Sequence, residues 1–598
     1  MGIYWIDLPI DLNMSREPSG YDLDAMTPWE KAILFKRWHS WWTADWDYAL
    51  TTVGFLSSAI FAAFVLNKIA WLRGRTSTKN GKINLLDKMT AAMRYTVARQ
   101  FYLRPTDWYT PPLAASIGVC GFAIFVLTLT LAVRPYYWPN DAMGMSPPIA
   151  TRAGWISVAI MPFMIAFATK INFVAILTDT SHEKLQVFHR WTAFFMYITS
   201  LVHTFPFIIT SIRMGMMQVM WGTTSLYWTG VAALVPQTWL IAMSWGPIRS
   251  RYYEAFKKLH FAASCVFMAM LFCHVDWIFT SWHYFYATAA LYTTAWLTRV
   301  VRTFYTSGLG LPASIDSAGP DLVRIRITPR PRVGFAWTPG QHVFIRVLGL
   351  GIHALTSHPF TVASVKTKGE EGEGVVELVL RARGGLTRAL QRRVEGTPGW
   401  TTRVVLDGPY GGLKTPRPLE GYDRVVLLAG GTGASFTLPL FTNLVKSGSE
   451  SDTKVDFVVA VPNVDNFEWM APQIAAAAAQ KAGTANTCIR VHYTRAGADS
   501  AELGKPPIAK DAESESESVS DDAKSVTQGP TTTNYGRPSL PTIVREAHAS
   551  ASRVAIIACG PDSFLYDVRN AVAACQLDIT DGFGPCRDLF MHTETYSW

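Results

Sequence analysis

Seven stretches of the chain are apolar for long enough to cross a hydrocarbon core, which takes roughly 20 helical residues. They run approximately 49–72, 113–133, 154–177, 186–211, 226–245, 256–278 and 283–303. After residue 320 the pattern changes to short alternating runs, such as 322–327 and 342–347, broken by Gly and Pro. These predict half-buried strands and a small antiparallel β-barrel over 320–415. From 424 to 598, strand-like runs at 425–429, 455–461 and 554–558 alternate with helical stretches, as in a Rossmann-like α/β sheet. Residues 496–541 interrupt that sheet. Their Ser-, Glu- and Asp-rich content buries too little apolar surface to fold, so a disordered insertion is expected. The predicted fold class is a multi-domain membrane protein: an outer N-terminal segment over 1–48, an α-helical transmembrane bundle over 49–303, then the barrel and the α/β domain.

Charge adds an orientation. The net charge of +9 does not point to nucleic acid, because the bases sit mainly in loops between apolar runs. Arg73, Arg75, Lys79, Lys82, Lys88, Arg94, Arg99 and Arg104 follow the first stretch, and Arg249, Arg251, Lys257 and Lys258 precede the sixth. Loops of the other parity hold only Arg134, Arg152 and Arg213. The positive-inside rule then puts the first loop and the C-terminal half in the cytosol and the N-terminus outside, although Lys36 and Arg37 weigh mildly against it. The sequon at Asn13 fits an outer N-terminus. Trp29, Trp38, Trp41, Trp42 and Trp46 read as an interfacial anchor against membrane lipid. No secretory signal is expected over 1–48, which lack a basic start followed by an apolar core. The seven cysteines show neither a disulfide framework nor zinc spacing, which suits a reducing compartment for the soluble half.

Four histidines carry the first chemistry. His189 and His203 are 14 residues apart in the fourth stretch, and His260 and His274 repeat that spacing in the sixth. Fourteen residues is close to four helical turns, so each pair shares a face, about 21 Å apart along its axis. The two helices run in the same direction across the bilayer. His189 is then level with His260 near the cytosol, and His203 with His274 near the outside. Each level offers two imidazoles, the axial set of a six-coordinate haem, and four buried ionisable groups without a function would be costly. His39, His182 and His283 lack a partner at this spacing.

The soluble half adds four motifs. Pro339-Gly340-Gln341-His342 precedes His358-Pro359-Phe360-Thr361, a Pro-stiffened turn with a hydroxyl that suits the reactive ring of a flavin. Arg381-Ala382-Arg383-Gly384-Gly385-Leu386-Thr387 combines bases with paired glycines, as a pyrophosphate cradle does. Gly430-Gly431-Thr432-Gly433 ends a strand and opens a helix, where a nucleotide pyrophosphate binds. Cys559-Gly560-Pro561 ends another strand, where nicotinamide is expected, and the terminal Trp598 is placed to cover an isoalloxazine face.

Together these motifs resemble the fungal ferric-chelate reductases of the ferric reductase and NADPH oxidase superfamily, over roughly residues 110–598. The resemblance implies a six-helix core with two b-type haems on His189, His203, His260 and His274, then FAD and NADPH. It implies a plasma-membrane enzyme reducing extracellular ferric or cupric chelates for iron uptake, with Cys559, Thr361 and Trp598 at the reacting end and an iron permease or oxidase as associated partners. The chain departs from the family at Val459-Ala460-Val461-Pro462, which lacks an arginine for the 2′-phosphate; Arg495 is the substitute expected. Arg134, Arg152 and Arg213 suit either attraction of anionic chelates or interfacial anchoring. Rival readings are an NADPH oxidase making superoxide and, from another class, a haem-containing transporter or sensor.

Overall fold

The computed structural model describes residues 22–37, 44–76, 84–276, 278, 280–330, 335–365, 374–447, 452–480, 486–495, 526–528 and 531–595. Asn13, Trp38, Trp41, Trp42 and Trp598 lie outside these residues. In chain order the helices of more than ten residues up to residue 307 are α1 (Thr51–Thr76), α2 (Leu85–Ala98), α3 (Leu113–Leu131), α4 (Pro148–Ala168), α5 (His182–Arg213), α6 (Ser225–Met243), α7 (Tyr253–Val275) and α8 (Ser281–Ser307). Six of the described helices, α1 and α3–α7, are long and apolar enough to cross a membrane, so the chain is a multi-pass membrane protein. The apolar pattern of the sequence predicts seven. The seventh, α8, is a helix of 27 residues, but Tyr, Trp and Thr interleave its apolar residues and lower its hydropathy.

The chain divides into two compact units, residues 1–67 with 114–298, and residues 68–113 with 299–598. In the first, α4 is central: 72% of its most apolar window is buried, against 17–28% in the other five helices. Those five leave apolar side chains such as Phe61, Ile124, Val235 and Phe261 exposed, as helices bathed in lipid do. Arg152 on α4 is buried and donates to the carbonyls of Thr130 (2.8 Å) and Val133 (2.7 Å) at the end of α3. It satisfies a helix C-terminus and is withdrawn from any outer ligand. Arg213 is ion-paired with Asp141 at 2.8 Å, and Arg134 lies over the Tyr136 ring.

The second unit opens its sheets with β1 (Leu311–Gly319), β2 (Leu322–Ile327), β3 (Gln341–Val347), β4 (His358–Thr361), β5 (Val376–Arg381), helix α9 (Gly385–Gly396) and β6 (Trp400–Gly411). These six strands pair antiparallel in the order β4-β3-β6-β1-β2-β5, and a bridge from Val362 to Leu378 joins the two ends of that order. Alternate residues such as Leu311, Ala313 and Ile315 point into one core, the period-2 pattern of a half-buried strand. Then follow β7 (Arg424–Gly430), α10 (Ala434–Ser447), β8 (Lys454–Val461), α11 (Ala471–Gln480), β9 (Thr487–Tyr493), β10 (Val526–Gln528), β11 (Thr531–Tyr535), α12 (Leu540–Ser550), β12 (Arg553–Gly560), α13 (Asp562–Asp581) and β13 (Asp588–Thr595). Their sheet order is β10-β11-β9-β8-β7-β12-β13, parallel except where β10 meets β11.

The central strands β7 and β12 are buried on both faces, hence their unbroken apolar runs. Val425, Leu427 and Ala429 face α10, whereas Val426 and Leu428 face α12 and α13. The expected disorder over 496–541 needs correction at its end. Thr531–Tyr535 pairs with β9, because its Thr-rich run is β-prone, and α12 starts at Leu540.

The basic loop after α1 is part of this second unit and not only a topology signal. Ala91 and Ala98 of α2 pack into the core shared by β12, α12 and α13. Arg94 bonds Asp588 at 2.5 Å, Arg417 reaches the same carboxylate at 3.2 Å, and Arg417 also donates to the Gly74 carbonyl. Asp588→Asn therefore leaves two buried guanidinium groups facing a neutral amide. The expected cost is about 3–5 kcal/mol. It should appear as earlier release of FAD fluorescence on heating, and an unchanged release temperature counts against this role.

Candidate functional site

His189 and His203 project from α5, and His260 and His274 from α7. The ring centroids of His189 and His260 are 6.5 Å apart, and those of His203 and His274 are 5.9 Å apart. The rings within each pair stand at 69° and 80° to one another. Imidazole nitrogen bonds a first-row metal at about 2.0–2.1 Å, so two rings sharing one ion have centroids roughly 6 Å apart. The backbone decides which nitrogen is free. Nδ1 of His189 lies 2.9 Å from the Met164 carbonyl, that of His203 2.8 Å from Ala150, and that of His274 2.8 Å from Leu226. A carbonyl only accepts, so each Nδ1 carries the proton and each Nε2 keeps its lone pair for a metal. Nδ1 of His260 is buried with no such partner among the described residues.

Two glycines make room for the His203–His274 pair. A Cβ at Gly154 would stand 2.5 Å from His203 Nδ1, and one at Gly230 would stand 2.8 Å from His274 Cε1. Beside these rings lies a cavity of about 570 Å³, lined mainly by apolar residues including Trp155, Val158, Phe207, Leu234 and Phe267. A flat apolar macrocycle with two axial imidazoles fits this donor set and lining. Gly154 and Gly230 were not singled out by sequence reading. They sit on helices other than those of the histidines, so no spacing rule could have found them.

In the second unit, β4 pairs with β3, placing Thr361 opposite His342 and Phe360 opposite Val343. β4 ends the strand order, which tolerates Pro359. His358 Nε2 lies 3.1 Å from the Thr356 hydroxyl. Arg381, Gly384 and Gly385 are exposed where β5 leads into α9. Gly385 has φ +49°, a conformation that favours glycine. Thr387 acts as a cap: its hydroxyl accepts from the backbone N–H of Arg383 (3.0 Å) and Gly384 (3.4 Å). The bases of Arg381 and Arg383 stand exposed at this helix start.

The strands brought together are β5, which lies against the turn 431–433, and β12, which runs beside β7 with Cys559 level with Ala429. A Cβ at Gly433 would stand 2.1 Å from the Cys559 carbonyl oxygen, and one at Gly430 2.9 Å from Pro561 Cδ. The two glycine turns therefore touch through their backbones. Gly431 takes φ +58° to turn the chain into α10 beyond Thr432, and the N-terminus of α10 faces this seam. Cys559 is fully buried in the core with Phe436 and Ala429. Ala363, two residues after Thr361, belongs to the same cluster, which joins the barrel to this seam. Arg495 is exposed, and its N–H donates at 3.0 Å to Pro462, just past β8.

Sequence reading missed the role of β13. It runs parallel to β12 with Glu594 level with Cys559 and Thr595 level with Gly560, and so delivers the last described residues to the turn at Cys559-Gly560-Pro561. Arg569 of α13 donates to Thr593 at 2.6 Å there, and burial lowers its guanidinium to about 10.

Three family models match this chain in the same order as its domains. The ferric reductase like transmembrane component covers residues 153–271, an FAD-binding domain 311–414, and the ferric reductase NAD binding domain 422–573. The chain belongs to the ferric reductase superfamily. Its second unit therefore carries an FAD-binding and an NAD(P)H-binding domain. The transmembrane match includes His189, His203 and His260 and stops three residues short of His274. Among curated relatives, "Probable cell surface ferric reductase kap2" of Aspergillus oryzae is 34% identical over 61% of this chain and 50% of its own length. "Ferric/cupric reductase transmembrane component 2" of Saccharomyces cerevisiae is 26% identical over 80% of this chain and 66% of its length. "Ferric/cupric reductase transmembrane component 7" of the same yeast is 27% identical over 59% and 56%. The chain thus spans half to about two thirds of these relatives.

Proposed function

We propose that this chain transfers electrons from cytosolic NADPH through FAD and two b-type haems to extracellular ferric or cupric chelates, as a plasma-membrane ferric-chelate reductase. The observation that carries this reading is the double pairing of imidazoles, with Nε2 left free on the rings whose Nδ1 meets a carbonyl. When bound, the flavin supplies the conversion of a hydride into single electrons, and the haems supply single-electron carriers.

The chain's own residues do the rest. His189 with His260, and His203 with His274, would hold the two irons. The apolar lining of the outer cavity excludes water. The exposed bases of Arg381 and Arg383 would neutralise the FAD pyrophosphate, and the 431–433 turn with the start of α10 that of NADPH. Cys559 and Thr361 would bracket the nicotinamide and the flavin ring, with Trp598 covering that ring when nicotinamide is absent. The associated iron permease or oxidase belongs to this same reading.

Parity supports seven spans with the N-terminus outside. Residues 68–113 and 299–598 form one compact unit and so lie on one side of a membrane. Helices α3–α7 are five crossings between them, and an odd number would end on the wrong side. In this reading α8 supplies the sixth crossing and α1 the seventh. The C-terminal part of α8 belongs to the second unit, where Arg299 and Arg302 meet the buried Asp407 at 2.6 and 3.1 Å.

The test is anaerobic addition of NADPH to the purified protein, followed in the visible spectrum, and then addition of ferric citrate. Haem bands that reduce and rapidly reoxidise on ferric addition support the reductase. Bands that reoxidise only in air support a superoxide-forming oxidase, and bands that NADPH never reduces favour a sensor or transporter. For the nucleotide, Arg495→Ala should raise KM for NADPH about 10-fold through loss of one phosphate ion pair, with KM for NADH unchanged. Equal effects on both would remove Arg495 from the 2′-phosphate.

A further inference from the structure

The helices α12 and α13 bring three potential metal ligands together at a place the electron path does not use. His548 lies near the end of α12, and Cys575 and Asp578 lie near the end of α13. The spacing of three puts Cys575 and Asp578 on one helix face. Their donor atoms and an imidazole nitrogen of His548 all lie within 4.8 Å of one another. His548 is 7% exposed, and its Nε2 is buried with no hydrogen-bond partner among the described residues. Cys575 is 1% exposed and carries a free thiol. A buried imidazole nitrogen left unpaired is a penalty that a metal bond would remove.

The site also has a built wall. Gly582 and Gly584 take φ +87° and +80°, turning the chain after α13 back over His548, and a Cβ at Gly584 would stand 3.4 Å from its Cε1. Around a tetrahedral ion with bonds of about 2.0–2.3 Å, ligand atoms sit roughly 3.3–3.8 Å apart. Side-chain shifts of about 1 Å would close the present arrangement onto such an ion.

We propose that His548, Cys575 and Asp578 form a binding site for a divalent transition metal of the zinc class, separate from the haem and nucleotide sites. One nitrogen, one sulfur and one oxygen donor suit a borderline ion, with a fourth position open to water. On binding, the thiol gives its proton to solvent and its sulfur bonds the metal, so the 2+ charge meets one thiolate and one carboxylate. The ion clamps α12 to α13, the helix that starts directly after Cys559-Gly560-Pro561.

The test uses full-length holoprotein, stripped with chelator, incubated with zinc and dialysed. Wild-type protein should retain one zinc per chain. X-ray absorption at the zinc edge, which the haem iron does not obscure, should show a sulfur neighbour at about 2.3 Å. Cys575→Ser should lose that sulfur. His548→Gln, which keeps a polar side chain of similar reach, should weaken retention at least tenfold with FAD content unchanged. Cys488→Ser, away from the site, should behave as wild type. No zinc retained by wild-type protein, zinc without a sulfur neighbour, or equal retention in His548→Gln each overturns the proposal.

Discussion

His203→Ala is expected to abolish reduction of ferric citrate at the outer face while NADPH-driven bleaching of the flavin proceeds at its wild-type rate. The substitution removes one imidazole of the His203–His274 pair, whose ring centroids stand 5.9 Å apart beside the cavity. Even changes to groups that only orient a ligand cost about 10–100-fold in metal affinity, so loss of the ligand itself should lower outer-face activity by at least about 100-fold. Gly154→Ala should act in the same direction without touching a ligand, because the added methyl would stand 2.5 Å from His203 Nδ1 and break its bond to Ala150. Membrane-side haem absorbance per flavin and ferrous chelate formation check both variants. Normal outer-face activity in His203→Ala would sink the two-level path.

The second large effect is expected at Gly433. Its missing Cβ is what lets the turn after β7 lie against the Cys559 carbonyl, 2.1 Å from where that Cβ would be. The neighbour is backbone inside a buried strand, so no rotamer change relieves the clash. Gly433→Ala must move one turn relative to the other, and a displacement of about 1 Å in a reacting geometry costs about 100-fold in rate. Stopped-flow reduction of flavin by NADPH should slow by about that factor. FAD content and haem reduction by dithionite should stay normal. A wild-type rate would mean that nucleotide does not use this seam.

Much of this was legible along the chain because its signals are local or periodic. Bilayer thickness sets the length of the apolar stretches, so most of the membrane helices could be read off. The 14-residue spacing of His189 with His203, and of His260 with His274, is a helical period and fixes which faces they share. The glycine turns follow from backbone demands that few other residues meet. The misjudged places were those where a second element decides. Residues 531–535 looked too polar to fold, yet β9 offers a strand to pair with. Arg152 suited either attraction of anionic chelates or interfacial anchoring, yet the end of α3 takes its guanidinium.

The chain order by itself determined the sequence of domains, the helix that carries each histidine and the position of each nucleotide turn, since these depend on spacing within one segment. Tertiary structure alone decided the rest. It chose the histidine tautomers, because the carbonyls of Met164, Ala150 and Leu226 come from other helices. It drew the basic loop after α1 into the nucleotide unit through Arg94 and Asp588, which lie 494 residues apart. It also gathered His548 with Cys575 and Asp578. Contacts at such separations leave no period in the sequence, and they exist only once the core has brought the segments together.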